Sequence, residues 1–91
     1  MAWNLFEPRD IDRICRGLMP AVLKNYEAWK ALVLHHGMAI LKSFPGYHDE
    51  KLKGKWAGHR SSRLSGKYRV IYRVDASTKS VYVEDINPHD Y

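Results

Sequence analysis

Cysteine is nearly absent from this chain: Cys15 is the only one in 91 residues. An intramolecular disulfide is therefore impossible, and no set of cysteines has zinc-ligand spacing. Such usage fits a reducing compartment. No run approaches the roughly 18 apolar residues of a membrane-spanning helix. Glu7 and Pro8 stand where a signal peptide would carry its apolar stretch, so none is expected. Repeats, low-complexity tracts and linkers are missing too, which leaves a single domain over 1–91. A chain this short buries only about 60–65% of its unfolded surface, so one modest core without a deep cavity is expected. These absences exclude a disulfide scaffold, a zinc module, an integral membrane helix bundle and a repeat array.

The most informative absence is one of charge sign. Residues 51–74 hold eight Lys/Arg and no Asp/Glu. Residues 1–50 hold six of each kind, and residues 75–91 hold one Lys against four Asp/Glu. The net charge of +5 thus originates in a single stretch. A clustered basic segment raises the local anion concentration and is the usual footprint of nucleic-acid binding. A solvated basic face or an acidic protein partner would account for the same cluster.

"AWNLFEP" (2–8) predicts a short strand ended by Pro8. "RDIDRICRGL" (9–18) sets Ile11, Ile14, Cys15 and Leu18 at spacings of three and four, which predicts a short helix closed by Gly17 and Pro20. Residues 20–43 read as a longer helix with Pro20 in its first turn, where a missing N–H costs nothing. Val22, Tyr26, Trp29, Val33 and Ile40 form its apolar stripe. Gly37 weakens it by up to about 1 kcal/mol and is where it would stop early. "FPGYHDEKLKGKWAG" (44–58) is a charged, Gly/Pro-rich loop, long enough to be functional. Three strands follow over 59–65, 67–74 and 80–87, with "DASTKS" (75–80) as the second turn.

"RSSRLSGKYRVIYRVD" (60–75) reads as a tight hairpin with arginines on both arms. A three-residue loop, Ser65–Gly66–Lys67, pairs Leu64 with Tyr68 and Arg63 with Arg69, and keeps the apolar residues on one face. His59, Arg63, Arg69 and Arg73 then share the other. Like charges facing each other weaken a sheet, and a bound phosphate backbone would relieve that repulsion. The order β-α-α-β-β-β predicts an α+β fold, with two helices on one face of a small twisted antiparallel sheet and an open, basic face opposite.

This order, with "EKLKGKWAGHRSSRLSGKYRVIYRV" (50–74) and the ending "VYVEDINPHDY" (81–91), resembles the RelE/ParE superfamily of bacterial toxins. The family pattern is an acidic residue, Leu-Lys, Gly, a basic strand, then Tyr/His-Arg, two hydrophobic residues and Tyr. The nearest branches are the YoeB-like and HigB-like ribonucleases. Members of this kind cleave mRNA, typically in the ribosomal A site, and are silenced by an antitoxin. The resemblance implies a RelE-like domain and a metal-independent endoribonuclease acting by 2′-OH attack on the scissile phosphate. It further implies mRNA and the 70S ribosome as partners, a cognate antitoxin, a bacterial cytoplasmic location and no cofactor. The antitoxin would cover the basic face or displace a C-terminal element carrying His89.

Cleavage without metal needs a base for the 2′-OH, a cation for the phosphorane, an acid for the leaving 5′-oxygen and a platform for the nucleobase. Arg63 matches the strand arginine of YoeB-like enzymes, and a guanidinium fork suits phosphate oxygens. Arg69 matches the "YR" arginine that RelE-like enzymes place at the phosphate. His89 is the expected general acid or base, because histidine titrates near neutrality, and Asp90 would orient it. Tyr91 would stack on a base or assist proton transfer. Glu50 matches the acidic residue before "LK" that serves YoeB-like enzymes as base, although Lys51 stands where the family often has proline. His48 and His59 are alternative bases. Lys53, Lys55, His59, Arg60 and Arg73 would contact RNA, the lysines adding salt-dependent affinity. Trp56 would stack on RNA or pack the loop onto the sheet, Trp29 belongs in the core, and Trp3 would pack under the sheet edge.

His35, His36, His48 and Asp49 match no metal-ligand pattern, and Cys15 on an apolar helix stripe is no nucleophile. The alternative function is that of the ParE branch, a non-catalytic inhibitor of DNA gyrase. The set Glu50, Arg63, Arg69, His89 and Tyr91 separates the two, since a gyrase poison needs no titratable histidine beside a phosphate clamp.

Overall fold

The structure, a computed structural model, describes residues 3–88. Its elements are β1 (Asn4–Phe6), α1 (Ile11–Arg16), α2 (Pro20–His36), β2 (Glu50–Lys51), β3 (Arg60–Ser65), β4 (Tyr68–Asp75) and β5 (Ser80–Pro88), with 3₁₀ segments at Met38–Ser43, Pro45–Tyr47 and Gly54–Trp56. The α+β class stands, with the helices on one face of the sheet. The strand order is β1-β5-β4-β3-β2. β1 runs parallel to β5 and the other pairs are antiparallel, so the sheet is mixed rather than wholly antiparallel. No hairpin joins β1 to β5; most of the chain lies between them, and a long connection permits a parallel pair.

The apolar stripe of α2 builds the core. Val22, Tyr26, Trp29 and Val33, four or three residues apart, are buried against Leu64, Val70, Tyr72, Val81, Val83 and Ile86 of the sheet. Ile11, Ile14, Cys15 and Leu18 pack on this cluster from α1 and its C-terminal end. The helix stops at Gly37, where φ is +80°, and Ile40 falls in the next 3₁₀ segment. A side chain at Gly37 is excluded twice over, because a Cβ there would lie 2.5 Å from Trp3 Nε1. Trp3 thus packs on the end of α2, and its backbone N–H donates to Leu34 O at 3.0 Å. Buried Tyr26 donates its hydroxyl to Glu7 at 2.6 Å, and Lys30 reaches the same carboxylate at 3.1 Å.

The hairpin keeps the expected opposition of Arg63 and Arg69, but Ser65, not Leu64, pairs with Tyr68. A bulge at Leu64 takes up the extra residue, and the turn tightens onto Gly66 (φ +55°) and Lys67. The bulge keeps the Leu64 side chain in the core, and Asn25 Nδ2 donates to the Leu64 carbonyl at 2.6 Å. The 44–58 loop is more structured than its composition predicts. It contributes β2, which pairs with β3 at the sheet edge through Glu50↔Ser61 and Lys51↔Arg60. Among the described residues, no helix is long and apolar enough to cross a membrane.

Candidate active site

Side chains on β3 and β4 alternate between the two faces of the sheet. The Tyr72 ring meets Trp29 of α2 with centroids 5.2 Å apart, which identifies the helix-covered face. Arg60 and Ser62 share that face through the pairs Arg60↔Tyr72 and Ser62↔Val70. The intervening residues Ser61, Arg63, Arg69, Ile71 and Arg73 project to the opposite face, where Ser61 and Ile71 are buried and Arg73 is exposed. β2 brings Glu50 to the same side, directly beside Ser61. Glu50, Arg63 and Arg69 therefore converge from three strands. They line one depression together with His48, Ser61, Lys67 and Tyr68. Its volume is ≈ 20 Å³. That is room for about one water molecule, so a substrate would lie across this face rather than enter it. Arg69 Nε reaches Asn87 Oδ1 of β5 at 3.5 Å.

Behind the depression lies a polar network that sequence reading missed. Asp49 Oδ2 accepts from Arg60 Nε and Nη2 at 2.9 and 2.7 Å. Its Oδ1 accepts from Ser62 Oγ at 2.8 Å and from the Tyr72 hydroxyl. Ser62 Oγ in turn accepts from Trp29 Nε1 at 3.0 Å. Burial pushes the Tyr72 hydroxyl well above the ordinary tyrosine range, and the hydrogen bond to Asp49 adds to that shift. Burial alone would lower the pKa of Arg60, but the hydrogen bonds and charge of Asp49 outweigh it and raise the value. The network fastens the start of β2 to the helix side, while the next residue, Glu50, turns to the open side. Two buried aromatics with polar tips, Trp29 and Tyr72, were the available signal, because such tips need partners.

Arg60, grouped by sequence with the RNA-contacting arginines, is thus on the other face and committed to Asp49. One residue of strand alternation separates it from that set. Arg73 is on the open face, where its guanidinium lies 4.0 Å from the Tyr82 ring centroid and Nε lies 3.5 Å from Glu84. His59 sits at the far end of β3 from Arg63, edge-on to Trp56 at 5.2 Å, with Nδ1 3.4 Å from Ala57 O. Lys53 and Lys55 are exposed between β2 and β3. The expected roles of His89, Asp90 and Tyr91 lie outside the described residues. His35 and His36 end α2 in solvent, and among the described residues no three His, Cys, Asp or Glu side chains gather as metal ligands would. Burial pushes the Cys15 thiol pKa up, away from the reactive thiolate.

The open face is also less uniformly basic than the linear sequence suggests. Asp85 pairs with Ile71, and Glu84 sits in a β5 bulge beside Arg73. Both come from the acidic C-terminal segment, which the fold lays alongside the basic strand.

No protein-family model matches the chain, and no curated protein matches it. Solved structures do. An archaeal RelE in complex with RelB from Pyrococcus horikoshii OT3 superposes with a TM-score of 0.73 at 21% identity, over 97% of this chain and 96% of that one. YafQ from E. coli strain BL21(DE3) gives a TM-score of 0.73 at 13% identity, over 96% and 93% of the two chains. A YoeB–YefM complex from Staphylococcus aureus gives 0.67 at 17% identity, over 100% of both. Identities this low bear on the fold alone. Over essentially its whole length, the chain has the fold of these RelE, YafQ and YoeB structures.

Proposed function

We propose that this chain is the toxin of a type II toxin–antitoxin pair and cleaves mRNA endonucleolytically. The observation that carries the reading is the convergence of Glu50, Arg63 and Arg69 on one depression of the open sheet face. The ribose 2′-OH attacks the adjacent phosphorus and the P–O5′ bond breaks. Glu50 takes the 2′-OH proton. Arg63 and Arg69 hold the non-bridging oxygens as negative charge grows on them, and His89 gives a proton to the leaving 5′-oxygen. The products are a 2′,3′-cyclic phosphate and a 5′-hydroxyl. Tyr91 stacks on a flanking base. Arg63 and Arg69 are direct cross-strand partners, so one phosphate can accept from both guanidinium groups.

Lys53 and Lys55 extend the phosphate-binding surface on the ribosome-bound message. The structural relatives solved as RelE–RelB and YoeB–YefM complexes support a protein antitoxin as the second partner. The test is primer extension on a reporter mRNA in a translating extract, beside a ribosome-free reaction. Cuts at defined positions that vanish with Arg63→Ala and with Glu50→Gln are expected. Intact mRNA in both reactions, despite toxicity in cells, would overturn the reading and make DNA gyrase the next target to assay.

A further inference from the structure

At the other end of the open face, three side chains form a column across three strands. Phe6 on β1 pairs with Tyr82 on β5, which pairs with Arg73 on β4. The Phe6 and Tyr82 rings stack with centroids 5.1 Å apart and planes inclined by 16°. The Arg73 guanidinium covers Tyr82 at 4.0 Å. Glu84 touches Arg73 at 3.5 Å, but both groups are exposed, and such a pair contributes little.

The column ends at Phe6. β1 is an edge strand, so Tyr82 covers one side of the ring and, among the described residues, no strand lies beyond the other. Phe6 is 49% exposed and does not belong to the core cluster, unlike its neighbours Trp3 and Leu5. Core packing therefore does not explain a large aromatic here. We infer that Phe6, backed by Tyr82 and Arg73, is a stacking subsite for one nucleobase of a single-stranded RNA. The inference rests on the RNA-cleaving reading above and deepens it.

Three observations favour RNA over a protein partner. The column offers a flat ring face closed behind by a cation, and planar aromatic and guanidinium surfaces are what bases stack on. It stands on the same face as Arg63 and Arg69. It also lies within reach of the same strand of RNA. Four residues along β4 and two strands across put Phe6 about 16 Å from Arg69, at about 3.3 Å per residue and 4.8 Å per strand. The captured base is then a few nucleotides from the scissile phosphate, and the subsite adds affinity without touching the chemistry.

The experiment uses the Glu50→Gln chain as parent, so that RNA stays intact. It binds a short single-stranded RNA carrying 2-aminopurine at successive positions. Quenching of the probe at one position, abolished by Phe6→Ala, is expected. Affinity should fall about 5- to 150-fold with Phe6→Ala. Phe6→Leu should behave like alanine, and Phe6→Trp should bind at least as tightly as the parent. Thermal unfolding of each variant checks that the sheet edge is intact. Unchanged affinity in Phe6→Ala, with binding still weakened by Arg69→Ala, would overturn the subsite and leave the RNA reading standing. The subsite would fall equally if Phe6→Ala weakened only the binding of a protein partner. No RNA binding by the parent, or no loss with either variant, would overturn both.

Discussion

Asp49 and Glu50 are adjacent carboxylates, and Arg60 and Arg63 lie on one short strand, yet the two acid–arginine sets serve opposite ends. On the helix side, Asp49 is nearly enclosed and both its oxygens are occupied by Arg60, Ser62 and Tyr72. On the open side, Glu50 is exposed and Arg63 faces another arginine across the ladder. The first set is complete without a ligand and holds the fold together. The second gathers one carboxylate and two guanidinium groups around a depression, a donor set that suits a phosphate. Residue type did not decide which acid and which arginine became structural. Facing direction on the strand did.

The largest effect that would break this contrast concerns Arg69. Arg69→Ala should lower cleavage about 10²- to 10³-fold, the size of losing one donor to a developing oxyanion. Single-turnover cleavage measures it. The same variant should lose less than about 1 kcal/mol of stability, because the Arg69–Asn87 contact it removes is at the long limit of a hydrogen bond, 3.5 Å. A clear loss of stability would place Arg69 with the structural set.

Next comes Asp49→Asn. It leaves the guanidinium of Arg60 without its counter-ion and breaks part of a hydrogen-bonded network. Denaturant unfolding should show a loss of about 2–3 kcal/mol. The effect stays below that of a fully buried pair because the Arg60 side chain is 34% exposed. Cleavage should fall as well, through the loosened β2 and Glu50. Full stability in this variant would mean that the network is dispensable.

A smaller effect separates the faces by pH. Burial raises the hydroxyl pKa of both Tyr26 and Tyr72, and hydrogen bonds to Glu7 and Asp49 reinforce the shift. A folded-state pKa above the unfolded value of about 10 gives stability that is complete below pH ~10 and declines as pH rises further. Alkaline titration followed by tyrosine absorbance and circular dichroism should show these two ionising only as the chain unfolds. Ionisation within the intact fold would contradict their burial. Smallest of all, Lys53→Ala should lower the salt dependence of RNA affinity by at most about one unit of log–log slope, without changing sequence preference.

Much of the frame is legible in the chain. The α2 stripe Val22–Tyr26–Trp29–Val33 and the alternation of Tyr68, Val70, Tyr72 and Val74 predict the core, and both are found there. The Arg63–Arg69 opposition follows from the same alternation. The bulge at Leu64 does not, because Asn25 of a distant helix captures the Leu64 carbonyl. The pairing of Arg60 with Asp49 is not legible either, because Asp49 comes to it from another segment, before β2. β2 is two residues long, too short to carry a period, and exists only because β3 offers it an edge.

What the amino-acid sequence determined by itself is therefore local: which segments repeat every 3.6 or every two residues, where Gly37 stops a helix, and where positive charge accumulates. Only the tertiary structure decided the partnerships. It set Glu50 beside Ser61, Asp49 under Arg60, Glu84 against Arg73, and Phe6 on Tyr82. Periodicity belongs to a single segment and can be read from it. Pairing depends on register and strand order between segments far apart in the chain, and these are set by packing the whole core at once.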